Sequence, residues 1–205
     1  PSVGGLFPAQ IERILAKNPT DVLMISGHHE LRAQLERFGV KVHQYQPKAL
    51  SEIYTQVESL SRLFGEESSA HIWIKEAKAV RERLKMPPQR PRVLVEVWFS
   101  PLTIAGSTSY MGDLIRVAGG RLMNEIKGDW PAVHLESVIT FNPQVLFIST
   151  LALYQQLMSE EPPVAWKQID AVKNHRIYLL DGRLARPSPR VIEEMKWVNQ
   201  RLLGQ

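Results

Sequence analysis

The chain has no cysteine. That excludes a disulfide scaffold, cysteine-ligated zinc or iron–sulfur clusters, and a thiol nucleophile. Long apolar runs are lacking too. Val22-Leu23-Met24-Ile25 is typical of the longest, whereas a membrane helix needs roughly 20 apolar residues. Nor is there an excess of one charge. Lys and Arg number 25 against 21 Asp and Glu, a net of +4. The basic residues are scattered, apart from Arg81-Glu82-Arg83-Leu84-Lys85, which an acid interrupts. A nucleic-acid surface needs a basic cluster interleaved with aromatics, so no such partner is expected. The nucleotide signatures G-x-G-x-x-G after a strand and G-x-x-x-x-G-K-[ST] are absent, as is the G-x-S-x-G elbow. No acid–base constellation replaces them, and the chain is not expected to be an enzyme. Pro1-Ser2-Val3-Gly4-Gly5 reads as protein interior, so a segment upstream of it is expected.

What is present is ordinary for a folded protein of 205 residues: 44% apolar and 22% charged. Helix and strand signals alternate. Ile11, Ile14 and Leu15 mark a short helix stopped by Asn18-Pro19. Val22 to Ile25 reads as a buried strand, Leu31, Leu35 and Phe38 as a helical face ending at Gly39, and Val40 to Tyr45 as a strand. Leu50, Ile53, Val57, Leu60 and Phe64 recur at helical spacing up to Gly65. A long helix over 66–86 carries Ala70, Trp73, Ala77, Val80 and Leu84 on one face and breaks at Met86-Pro87-Pro88. Trp73 on that face reads as core. A second set follows. Arg92 to Trp98, Val145 to Ser149 and Arg176 to Asp181 are strands. Ser109 to Ala118, Leu135 to Phe141 and Pro187 to Leu203 are helices. Such alternation implies an α/β fold with mostly parallel sheets.

One pattern goes beyond class. Ile11-Glu12-Arg13-Ile14-Leu15 with Asn18-Pro19 recurs as Leu135-Glu136-Ser137-Val138-Ile139 with Asn142-Pro143. The copies lie 124 residues apart, and each precedes an apolar strand. A duplicated lobe explains this. Two such lobes would share a cleft beyond the carboxyl ends of their strands, where open α/β sheets bind ligands.

These residues also carry a family likeness. Val3-Gly4-Gly5, the Ile11–Leu15 helix and Asn18-Pro19-Thr20-Asp21-Val22-Leu23 are similar to a first-lobe signature. Pro101, Gly106, Ala118-Gly119-Gly120, Trp130-Pro131, Glu136 and Asn142-Pro143 are similar to a second-lobe signature. Arg186-Pro187-Ser188-Pro189-Arg190 matches the start of a final helix. On this basis the chain resembles the substrate-binding proteins of ABC importers in the class with a single helix between lobes. Members of that class bind cobalamin, haem or ferric siderophores. Val95-Glu96-Val97-Trp98-Phe99-Ser100-Pro101 and Trp130-Pro131 resemble the cobalamin-binding branch most.

The resemblance implies two Rossmann-like lobes joined by one long helix. The N-terminal lobe would span 1–65, the joining helix 66–86 and the C-terminal lobe 87–205. The resemblance also implies a further strand, helix and binding loop before Val3, so the first lobe is expected to be incomplete, with a domain-exchanged dimer as one way to fill it. Export to the periplasm, or a lipid anchor outside the membrane, goes with the family. So does a permease dimer as partner, docked through Glu12 and Glu136 by charge-assisted pairing with arginines. The competing reading of both acids is compensation of a helix dipole.

Ligand contacts are expected from Trp98, Phe99 and Trp130, since a corrin is a large apolar disc fringed with amides and suits aromatic walls. Leu6 and Phe7 would line the other wall. Tyr110 either reaches the ligand or braces its own loop. His28 and His29 follow a strand end, where one imidazole would line the cleft or ligate iron if the ligand is haem. A separate metal site is not expected. Adjacent rings diverge, three or four ligands are needed, and the second lobe offers only His134 near its helix, with His175 in a later turn. Gly182, Arg183 and Arg186 follow the strand ending at Asp181 and would either meet ligand amides and carboxylates or form a solvated loop. No catalytic cofactor is expected. Cobalamin leads as ligand, with haem or a ferric siderophore as the alternative.

Overall fold

The computed structural model describes residues 2–3, 9–25, 27–123, 128–181 and 186–204. The chain divides into two compact units, 1–46 and 47–205.

The smaller unit runs α1 (Ile11–Leu15), β1 (Asp21–Ile25), α2 (His29–Arg37) and β2 (Lys41–Tyr45). Asn18 takes a left-handed conformation at φ 46° between α1 and β1, a role its short side chain permits. Gly39, at φ 77°, turns the chain out of α2. β1 and β2 pair in parallel from Asp21 against Lys41 to Ile25 against Tyr45. Val22 and Val42 share one sheet face and pack with Ile14, Leu35 and Val40. Leu23 and Ile25, on the opposite face, remain exposed. Phe38, expected on the buried face of α2, is also exposed, because it follows the last helical residue rather than extending the Leu31–Leu35 stripe.

The larger unit begins with α3 (Leu50–Phe64) and α4 (Glu67–Arg83). Then follow β3 (Val93–Trp98), β4 (Thr103–Ile104), α5 (Tyr110–Val117), α6 (Leu135–Phe141), β5 (Val145–Ile148) and α7 (Leu151–Leu157). A 3₁₀ turn at Trp166–Gln168, α8 (Asp170–Lys173), β6 (Ile177–Leu179) and α9 (Val191–Leu203) complete it. The sheet order is β4-β3-β5-β6, with β3, β5 and β6 parallel and β4 antiparallel. Alternation sends Val93, Val95, Val145 and Phe147 to the layer of α3, α5 and α9. Leu94, Leu146 and Ile148 go to the layer of α6, α7 and Trp166. Burial on both faces is what makes β3 and β5 read as near-continuous apolar runs.

The compact units divide the chain differently from the expected lobes, since residues 47–65 pack with the larger unit. Leu50 and Ile53 join its core, and the Leu50 N–H donates to Asp113 of α5 at 2.8 Å. Phe64, expected at the buried spacing, is exposed at the last residue of α3, where Gly65 (φ 69°) ends the helix.

The repeat is structural as well. α1 and α6 start 124 residues apart, as do β1 and β5. Ile14 and Val138 are the buried residues of the two helices. Asn142 repeats the left-handed conformation of Asn18, at φ 49°. Each copy continues as a parallel strand–helix–strand unit, β1-α2-β2 and β5-α7-β6.

Candidate functional site

β3 ends in Trp98, and Phe99 follows it. Both side chains are substantially exposed, at 63% and 42%, as is Trp130 at 46%. Burying such a ring is worth about 1.5–3 kcal/mol, and these three leave that apolar area open to solvent. Sheet pairing relates the segments that carry Trp98 and Trp130. Trp98 pairs with Thr103 of β4, and Thr103 bridges to Ala132 on its other side. Two ladder spacings place Trp98 and the segment after Trp130 roughly 10 Å apart. The Trp98 indole N–H donates to the Ser100 carbonyl at 2.8 Å, which fixes the ring.

The turn carrying Trp130 is pinned at both sides. Gly128 takes φ 118°, open to glycine without strain. The Gly106 N–H donates to the Asp129 carbonyl at 2.9 Å, and the Ile104 N–H to the Pro131 carbonyl at 3.0 Å. Thr108 Oγ1 donates to Asp129 Oδ1 at 2.6 Å, and Lys48 Nζ lies 2.9 Å from Oδ2. The Thr108 hydrogen bond, then that of Lys48, holds the Asp129 carboxyl below the usual range. Gly106 has no room for a side chain, since a Cβ would stand 1.9 Å from the Gly128 carbonyl oxygen.

Sequence reasoning passed over Glu96. This carboxylate is fully buried in β3, where an unpartnered charge would be very costly. It accepts from the Ser149 N–H at 2.9 Å, the Thr150 N–H at 3.0 Å and Thr150 Oγ1 at 2.6 Å. Glu96 thereby ties the carboxyl ends of β3 and β5 and the start of α7 into one platform. A lone acid inside a valine-rich strand was the available signal.

Tyr110 belongs to the core. It is 3% exposed, and its phenol donates to Glu194 of α9. Expected either to reach the ligand or to cap its own loop, it instead ties α5 to α9. Burial pushes the Glu194 carboxyl up to about 7, against the opposing Tyr110 hydrogen bond. Burial, then the Glu194 charge, pushes the Tyr110 phenol up.

In the smaller unit, Ile25 and Tyr45 end β1 and β2 side by side. His28 caps α2 and is half-buried, and His29 is exposed in its first turn. His43 Nε2 sits 2.8 Å from Asp21 Oδ1. Among the described residues no three His, Asp or Glu side chains are grouped to hold a metal. Glu12 and Glu136 are both exposed, each second in its helix. Arg186 is exposed. Leu6, Phe7, Gly182 and Arg183 lie outside the described residues.

The family model described as "Periplasmic binding protein" matches residues 1–184. The Vitamin B12-binding protein of Vibrio vulnificus (strain CMCP6) is 26% identical over 191 residues, which is 89% of this chain and 68% of that protein. The crystal structure of the periplasmic vitamin B12 binding protein BtuF of Vibrio cholerae superposes with a TM-score of 0.82 at 22% identity, covering 98% of this chain and 80% of that one. The periplasmic heme binding protein HutB of Vibrio cholerae gives 0.84 at 18% identity, covering 98% and 84%. At these identities the two structures establish the α/β fold.

Proposed function

The chain belongs to the periplasmic binding protein family, and from that membership we propose that it carries a corrinoid, cobalamin or a close relative, to an importer. It is a substrate-binding protein of an ABC transporter, and its family consists of solute-binding proteins rather than enzymes. The observation that supports a corrinoid is the exposed aromatic surface of Trp98, Phe99 and Trp130 at one end of the larger unit's sheet. A flat macrocycle buries large apolar area against such rings, and its peripheral amides accept and donate to the polar groups between them. Glu12 and Glu136, exposed at matching positions of the duplicated helices, are the proposed contacts with the two permease subunits. Working in the periplasm, or anchored outside the membrane, follows from the same reading. No helix among the described residues is long and apolar enough to span a membrane.

A second cargo has its own support. His29 is exposed in the first turn of α2, and an imidazole of that kind suits the iron of a haem. Isothermal titration with cyanocobalamin, and with haem for comparison, separates the two. Saturable one-to-one heat with cyanocobalamin, lost on Trp98→Ala with Trp130→Ala, is the expected result. Heat with haem alone moves the cargo to haem and the test to His29→Ala. Silence with both overturns both ligands.

A further inference from the structure

Trp130 is held between two residues that are each fixed, yet its ring stays exposed. On one side Pro131 accepts from Ile104. On the other, Asp129 uses every acceptor it has: its carbonyl for Gly106, Oδ1 for Thr108 and Oδ2 for Lys48. Lys48 is itself anchored, since its backbone N–H donates to Glu52 Oε2 at 2.8 Å in the first turn of α3. It lies two residues beyond the division of the chain at 46/47. An exposed ion pair of this kind adds little to global stability. Its geometric effect is larger, because a charge-assisted pair and a short hydroxyl bond converge on the residue adjoining the indole.

We infer that Asp129 is a positioning residue for Trp130, with Lys48 and Thr108 as its clasp, so that these three side chains set ligand affinity without touching the ligand. The inference rests on the reading of Trp130 as a ligand contact. A preorganised ring binds more tightly because less freedom is lost on association. The Thr108 and Lys48 hydrogen bonds hold the carboxyl of Asp129 below its ordinary range, so the clasp loses its carboxylate charge only in strong acid.

The test compares wild type, Asp129→Asn, Lys48→Met and the exchange Lys48→Asp with Asp129→Lys. Cyanocobalamin and haem are the probes. Three quantities are read: dissociation constant, thermal midpoint, and acrylamide quenching of Trp130 without ligand, taken as the difference between each protein and its Trp130→Phe counterpart. Asp129→Asn is expected to bind about fivefold more weakly, with quenching raised and the midpoint nearly unmoved. The exchange is expected to recover part of the affinity and of the protection. Raising ionic strength to about 1 M is expected to weaken wild type toward Asp129→Asn while leaving that variant nearly unchanged. Wild-type affinity and wild-type quenching in Asp129→Asn overturn the clasp. If wild type binds neither probe, the ligand reading fails, and quenching alone decides whether the clasp holds the ring.

Discussion

Glu194 has no exposed surface, and one carboxyl oxygen, Oε1, is buried without a hydrogen-bond partner among the described residues. Burial raises its folded pKa from 4.5 to about 7. The folded state therefore holds a proton that the unfolded state releases between those values. Stability from this group is complete below about 4.5 and is lost as pH rises through about 7. The loss is on the order of 3 kcal/mol. Asp21 and Asp129 are shifted the other way, so their contributions fall away only in stronger acid, outside this window. Urea unfolding at pH 5 and pH 8 is expected to show wild type less stable at pH 8. Glu194→Gln, neutral throughout, is expected to flatten that difference, and an unchanged slope would remove Glu194 as its source.

Among the elements, the turn at 128–131 depends most on a neighbour distant in sequence. Gly106 passes so close to Gly128 that a methyl group forces the two backbones apart. Gly112 in α5 repeats the constraint from the other side, since a Cβ there would stand 2.3 Å from the Gly106 carbonyl oxygen. Gly106→Ala is expected to cost about 2 kcal/mol of stability. It is also expected to weaken ligand binding far more than any clasp variant, since the whole turn moves. Thermal midpoint and titration read on one sample check this. Retention of full affinity would show that the turn does not set the position of Trp130.

For the whole molecule, the duplicated α1 and α6 present Glu12 and Glu136 at equivalent places, each in the first turn of a helix that leads into a parallel strand. On the proposed docking, two like carboxylates would meet two like surfaces of a symmetric permease. Glu12→Ala with Glu136→Ala is expected to leave the ligand dissociation constant unchanged and to abolish stimulation of permease ATP hydrolysis in reconstituted vesicles. Full stimulation by the double variant would leave both acids to the helix dipole.

Much of this was legible locally. The strands β3, β5 and β6, the helices α3, α4, α5, α6 and α9, and the helix stop at Asn18-Pro19 follow from periodicity, from the Asn-Pro pair and from glycine caps. β4 and α8 went unread, because two- and four-residue elements are too short to set up a period; α7 went unread as well. Likewise the pairing partner of an isolated strand residue has no local mark.

The amino-acid sequence by itself determined the α/β class, the 124-residue repeat and the absence of nucleotide and nucleophile motifs, because each is written in neighbouring residues. Only the tertiary structure decided which aromatics face outward. Tyr110 and Trp98 both sit at element ends, yet Tyr110 is buried against Glu194, 84 residues away, while Trp98 stays exposed. The same holds for the assignment of α3 to the larger unit and for the Lys48–Asp129 pair. These outcomes depend on contacts between segments far apart in the chain, and local periodicity carries no information about which segments meet.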